Sequence, residues 1–237
     1  MSHIEMMLSF LIFAGFLIFA FYFFNPARTH RLIDSSMDYT FREIKKNTGV
    51  EVESYSISMD VTGGGIKKIN LGVNKNVRVE DRDGNLVDSR RDGNSGNVDF
   101  DSNEVLYNGD ATKGFAVFKF SEDFGQGTLA PGGGQINTFT IISSDKMRYI
   151  SEKRMRNLER DYLMNDDKYR EIKKGFNLPD RVNFGFRLEF DDDTIPDIDA
   201  RRDIPEGIHI DSDVERVEVL REEDGSVVFA DLIVRIW

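Results

Sequence analysis

The sequence contains no cysteine and only three histidines among its 237 residues. Without cysteine the chain has no disulfide, no thiolate metal site and no cysteine nucleophile. The histidines, His3, His30 and His209, lie far apart in the sequence and do not indicate a shared site. We therefore expect a chain that depends on its own hydrophobic core, which about 190 residues after position 49 are long enough to form.

Sequence motifs of common enzymes are missing as well. The chain has no HExxH, no Walker loop, no dinucleotide fingerprint and no nucleophile elbow. The triple glycines at Gly63–Gly65 and Gly132–Gly134 lack the Lys-Ser/Thr that completes a Walker loop and are typical of turns. We predict that the protein is not an enzyme, with no catalytic residue, no cofactor and no metal.

One acidic segment has the carboxylate-rich composition of a cation site. Six aspartates lie between positions 191 and 203, and Ca²⁺ binds such carboxylates. Their spacing is not that of an EF-hand, and Arg201 and Arg202 can neutralise the same charges. We favour a solvated acidic loop.

Basic residues are absent from the start of the chain, where the first is Arg28. A cleavable secretory signal has a basic start and a small-x-small cleavage site. Residues 1–5 contain no Lys or Arg, and Asn25-Pro26-Ala27-Arg28 is a poor cleavage site, so we do not expect cleavage. The net charge of −11 disfavours nucleic acid as a partner. An acidic surface suits exposure to the external medium, so we expect residues 50–237 to lie outside the cell. Arg28 and Arg31 weakly favour the opposite orientation.

The most conspicuous feature that is present is an apolar run from Met6 to Phe24. Its 19 residues include seven phenylalanines and no charge. As a helix it would be about 28 Å long, close to the thickness of a bilayer's hydrocarbon core. We predict a single-pass transmembrane helix at 1–25, with the lipid bilayer as its partner through residues 6–24 and the protein in the cell membrane.

The N-terminal segment SHIEMMLSFLIFAGFLIFAFYFF resembles that of type IV pilins and archaeal pilin-like proteins, with a glutamate at position 5 before an unbroken apolar helix. The resemblance implies that Glu5 neutralises the amine of an adjacent subunit and that the apolar helix packs against other subunits. It departs from the family in having no basic-Gly leader and in starting with Met1. Together, the resemblance and the apolar run nominate these membrane and assembly residues: Glu5, Met6, Phe10, Phe13, Phe16, Phe19, Phe24 and Pro26.

A second helix is predicted after Pro26. Ile33, Met37, Phe41 and Ile44 are spaced four, four and three residues apart, which places them on one helical face. We expect an amphipathic helix at 26–49 that continues the anchor.

The remaining residues, 50–237, which we call the head, show mainly strand patterns. We expect a β-rich domain of β-sandwich type with a helical insertion at about 145–175. That insertion has Ser144 as its N-cap, a possible break at Asn165 and a stop at Gly175. Strands are predicted at 50–59, 66–73, 77–80, 97–107, 115–120, 136–142, 181–190, 214–220 and 227–236.

The fold class that we predict is α+β, a long transmembrane helix followed by a mainly antiparallel β domain with one or two amphipathic helices. The expected function is that of a structural or accessory subunit of a filament or secretion apparatus, which associates with itself or with other pilin-like subunits. One alternative is a membrane-tethered binding module, such as an adhesin, receptor or stator-like protein, that does not polymerise. A second alternative is a membrane-anchored enzyme.

Overall fold

A computed structural model describes residues 3–23, 27–59, 67–73, 75–81, 97–99, 104–107, 114–124, 134–135, 139–192 and 194–237. The helices are α1 (His3–Phe23), α2 (Ala27–Thr48), α3 (Glu152–Met164) and α4 (Asp166–Gly175). The strands are β1 (Gly49–Met59), β2 (Lys67–Asn70), β3 (Asn76–Glu80), β4 (Asn97–Asp99), β5 (Glu104–Tyr107), β6 (Phe115–Ser121), β7 (Gly134–Gln135), β8 (Phe139–Ser151), β9 (Phe184–Phe190), β10 (Ile198–Ala200), β11 (Asp211–Leu220) and β12 (Val227–Ile236).

Eight of these strands form one curled sheet in the order β10-β9-β12-β11-β8-β1-β6-β3. Its pairings are antiparallel except the one between β8 and β11. A smaller sheet has the order β4-β5-β2-β7. Ile69 of β2 is buried in a cluster with side chains of β1, β3 and β6, so the small sheet packs near that end of the large one.

The helices α2, α3 and α4 share a core with strands β9 to β12. Met37, Phe41 and Ile44 of α2 are buried in this core, as the helical spacing of these residues predicts. Met155 and Tyr162 of α3 enter it from a second helix. On the sheet side, alternate residues of β9 are buried: Phe184, Phe186, Leu188 and Phe190. The predicted inward face of this strand is confirmed.

The helical insertion predicted at about 145–175 begins later than predicted, at Glu152. Strand β8 continues to Ser151, because it pairs with β1 from Phe139↔Met59 to Ile150↔Gly49, and this ladder overrides the local helical pattern. Ser144 is therefore in a strand and is not the N-cap. Ser151 caps α3 instead, since its side chain accepts a hydrogen bond from Arg154 N at 3.3 Å.

Two other helix predictions are confirmed. Asn165 separates α3 from α4, and its side chain accepts a hydrogen bond from Lys168 N at 2.8 Å. Helix α4 ends at Gly175. The predicted strand at 97–107 is present as two separate strands, β4 and β5. The glycines that are predicted to form turns, Gly63–Gly65 and Gly132–Gly134, lie outside the described residues except Gly134, which begins β7.

The predicted fold class is wrong. The chain is a strand-rich curled sheet with four described helices, and not an α+β protein that begins with a long membrane helix. One large sheet dominates, where a β-sandwich would have two comparable facing sheets.

The predicted single-pass transmembrane helix is also wrong. Within the described parts of the chain, no helix combines the length and the apolar character needed to cross a membrane.

Candidate functional site

Helix α1 carries most of the assembly residues that the sequence nominates, and it exposes the five whose side chains are described. The side chains of Met6, Phe10, Phe13, Phe16 and Phe19 are between 55% and 72% exposed. The hydrophobic clusters of the described residues contain none of them. Phe24 and Pro26 lie outside the described residues. The exposed residues of α1 thus form an apolar surface that the rest of the described chain does not use for its own core.

Glu5 is the third residue of α1, and its side chain lies outside those that the structure describes. The role of Glu5 in neutralising an adjacent subunit stays a prediction.

A fork in the large sheet is a second candidate surface. Strands β8 and β11 pair in parallel at only two positions, Val219↔Ile150 and Leu220↔Ser151. A cavity of about 610 Å³ lies beside this junction. The C-terminal end of α2 contacts both strands. Lys45 Nζ lies 2.7 Å from Glu215 Oε1 of β11, and Arg148 Nη2 of β8 donates to the Lys46 carbonyl at 3.1 Å.

The middle of β8, beyond the fork, is exposed on the sheet surface. It presents Ile141, Ile142 and Met147, but Asp145 and Lys146 stand among them. Charged side chains on a strand edge oppose pairing with another chain. This edge is therefore a weaker candidate for assembly than α1.

Three aspartates of the acidic segment 191–203 pair with arginines. Asp191 pairs with Arg216, and Asp197 Oδ2 lies 2.6 Å from Arg187 Nη2. The hydrogen bond from Arg216 lowers the pKa of Asp191, and the hydrogen bond from Arg187 lowers the pKa of Asp197. Asp199 pairs with Arg201, as expected from the sequence.

The same segment carries no described metal centre. Among the residues that the structure describes, no group of three or more His, Cys, Asp or Glu side chains is placed to hold a metal ion. Arg202 pairs with Asp166 of α4 rather than with an aspartate of the loop. The arginine partners of the described aspartates Asp191, Asp197 and Asp199 balance their charges without a bound cation.

His209 forms an exposed pair with Asp211, with Nε2 3.2 Å from Oδ1. The imidazole is largely in solvent, which is not the enclosed setting in which a positioned base acts on a bound substrate. His3 begins α1, and the side chain of His30 lies outside those described.

Sequence reasoning missed the buried charged residues Glu43, Glu152 and Lys173, the last of which lies on α4. This lysine falls four residues after Tyr169 and three before Phe176, so it lies within the apolar stripe of the helix. A basic residue inside an otherwise apolar stripe was the available signal. Lys173 is buried in the folded chain.

Comparison of the chain with models of known protein families, with curated proteins and with solved structures found no match.

Proposed function

We propose that this protein is a structural subunit that assembles with copies of itself through α1, as the resemblance to pilin-like proteins implies. The observation that supports this proposal is the exposed apolar surface of α1. Transfer of one such side chain out of water contributes about 1.5–3 kcal/mol. An exposed apolar surface of this kind marks a site of interaction.

The distribution of apolar residues around α1 favours several neighbours over one. Leu11, Ile12 and Phe13 are consecutive and exposed, and consecutive helical side chains point about 100° apart. A single partner helix covers one stripe of α1 and leaves the other directions in water. A bundle of α1 helices from several copies covers them all, which fits a filament or another multi-subunit assembly.

The head offers less apolar surface for the same purpose. Phe229 on β12 is exposed, but the guanidinium of Arg216 lies 5.5 Å from its ring centre. Ile142 on β8 stands near Asp145 and Lys146. Charges beside these side chains make their burial against another copy costly.

Single cysteines test the proposal directly, because the chain has none of its own. Ile12→Cys places one thiol on α1, and Ile208→Cys places a matched thiol on an exposed position of the head. Under mild oxidation we expect covalent dimers of Ile12→Cys and few of Ile208→Cys. Equal cross-linking of the two variants would contradict assembly through α1.

Sedimentation supplies the second readout. The unmodified chain should sediment as a species larger than a dimer, Phe13→Glu as a monomer, and Ile142→Glu as the unmodified chain does. A monomeric unmodified chain would overturn the proposal. So would flotation with phosphatidylcholine vesicles together with loss of Ile12→Cys cross-linking, because lipid would then cover α1 in place of another copy.

The location of the head outside the cell, the association of residues 6–24 with lipid, and the absence of nucleic acid among the partners stay predictions from the sequence.

A further inference from the structure

Two adjoining cavities form a groove beside α4, on the head. The first is about 800 Å³ and the second about 500 Å³. They share Tyr169, Asn183 and Arg202 as lining residues. We call this surface, with both cavities, the α4 groove.

Lys173 lines the first cavity and is only 8% exposed. Its Nζ donates to the Asp180 carbonyl at 2.8 Å and to Asn183 Oδ1 at 3.3 Å. Both acceptors are uncharged, and no carboxylate among the described residues is within ion-pairing distance of this nitrogen. Burial lowers the pKa of Lys173 despite the longer-range attraction of the Asp180 carboxylate.

A buried ammonium without a counter-charge destabilises the folded protein unless an anion approaches it. An ammonium has three N–H groups. The two hydrogen bonds of Lys173 leave one of them for another acceptor, and Nζ also lies 5.7 Å from the ring centre of Tyr169. This lysine therefore has both the charge and the hydrogen-bonding capacity to bind an anionic group that enters the cavity.

Arg202 adds a second positive charge where the two cavities meet. Its guanidinium lies 4.3 Å from the ring centre of Tyr169 and pairs with Asp166. Four basic residues and two acidic residues line the first cavity, although the chain as a whole has a net charge of −11. The first cavity thus favours an anion within an otherwise acidic protein.

The second cavity has a different lining, which includes the apolar side chains of Leu163, Pro205 and Trp237. An apolar wall next to a cationic site fits a ligand that has an anionic group and an apolar body. A carboxylate suits the single remaining N–H of Lys173 better than a phosphate group, which has more oxygens to satisfy.

We propose that the α4 groove binds a small carboxylate with an apolar or aromatic body. The carboxylate lies against Lys173 and Arg202, and the body lies against Leu163, Pro205 and Trp237. This site is separate from α1 and does not depend on assembly of the chain.

Trp237 is the only tryptophan of the chain and lines the groove, so its fluorescence reports occupancy. The full chain is titrated with benzoate, with its neutral isostere benzamide, with acetate and with inorganic phosphate. We expect a saturable fluorescence change with benzoate, weaker binding of acetate because it lacks the body, and no saturable change with benzamide. Equal binding of benzamide, preference for phosphate, or no saturable change with benzoate would overturn the proposal.

Lys173→Met removes the charge and keeps a side chain of similar length. We expect benzoate binding to weaken about tenfold or more, as for the loss of a hydrogen bond to a charged group. Lys168→Met is the matched control, because Lys168 is on the same helix but does not line the groove. Arg202→Gln is the second variant if Lys173→Met fails to fold, and unchanged benzoate binding in the folded variant would contradict the proposal.

Discussion

Glu152 and Arg221 form a buried ion pair that joins the first turn of α3 to the residue after β11. Arg221 Nε lies 3.0 Å from Glu152 Oε2, and their side chains are 13% and 5% exposed. Glu152 also accepts hydrogen bonds from Arg156 Nη2 at 2.8 Å and from Glu222 N at 3.1 Å. One carboxylate thus holds a helix start, a strand end and the following turn together.

Replacement of this carboxylate should destabilise the protein strongly. We expect Glu152→Gln to lower the free energy of unfolding by about 3 kcal/mol, because the buried Arg221 loses its buried counter-charge and keeps only the exposed carboxylate of Glu223 at 3.7 Å. The matched control is Glu171→Gln, which breaks the exposed 2.7 Å pair with Lys168 and should cost less than about 1 kcal/mol. Urea unfolding measures both, and similar losses in the two variants would contradict the role of Glu152.

The Tyr162 hydroxyl should contribute to stability through one hydrogen bond. Tyr162 is fully buried, and its hydroxyl donates to the Phe184 carbonyl. Its ring meets those of Phe184 and Phe186 edge-on, with centres 5.6 Å apart in each pair. Tyr162→Phe should keep the ring packing and cost about 1–2 kcal/mol, since the carbonyl loses its side-chain donor. A variant as stable as the unmodified chain in urea would show that this bond contributes nothing.

Tyr162 should also make the stability of the folded protein decrease at alkaline pH. Burial raises the pKa of Tyr162 above its ordinary value, so the folded chain retains this proton more strongly than the unfolded chain does. The resulting stabilisation is fully present below pH of about 10 and decreases as the pH rises above it. The midpoint temperature of thermal unfolding should fall with rising pH, and less steeply for Tyr162→Phe than for the unmodified chain. The measurement covers about pH 9 to about pH 12, on either side of the ordinary tyrosine pKa. Parallel pH profiles of the two chains would contradict this.

Asn165 should act as the N-cap of α4. Its side chain accepts a hydrogen bond from Lys168 N at 2.8 Å, so Asn165→Ala should cost about 1 kcal/mol. Asn165→Ser retains a capping oxygen and should restore most of that loss. Equal destabilisation by alanine and serine would point to another role of the amide.

Gly225 should not tolerate a side chain. It lies in the turn between β11 and β12 with φ of +69°, and a Cβ atom there would be 2.9 Å from Phe124 Cε1. We expect Gly225→Ala to destabilise the protein by more than about 1 kcal/mol through backbone strain and this contact. Gly175→Ala is the control, because no heavy atom lies within 4 Å of the added Cβ, and it should be neutral or slightly stabilising. Thermal melts that rank the two variants in the opposite order would contradict the prediction.

Several local elements follow from short sequence patterns. The strands predicted at 214–220 and 227–236 are present as β11 and β12, which pair from Asp211↔Ile236 to Leu220↔Val227. The break at Asn165 follows from the capping preference of its side chain. These patterns succeed because hairpins and caps involve residues that are close in the sequence.

The candidate site was only partly accessible to sequence reasoning. The apolar residues of α1 were nominated and are exposed, but the membrane-spanning helix inferred from them is wrong. The α4 groove was missed, because Lys173 and Arg202 lie 29 positions apart in the sequence. Their proximity depends on how α4 packs beside the segment after β10.

The amino-acid sequence by itself determined the absence of disulfides, the apolar character of α1, the buried stripe of α2 and the inward face of β9. Each of these depends on composition or on side-chain periodicity within one element. Only the tertiary structure decided that β8 continues to Ser151, that it separates from β11 beyond two paired positions, and that Lys173 is buried without a carboxylate partner among the described residues. These features arise from contacts between distant segments, whose combined hydrogen bonding and burial outweigh local preferences.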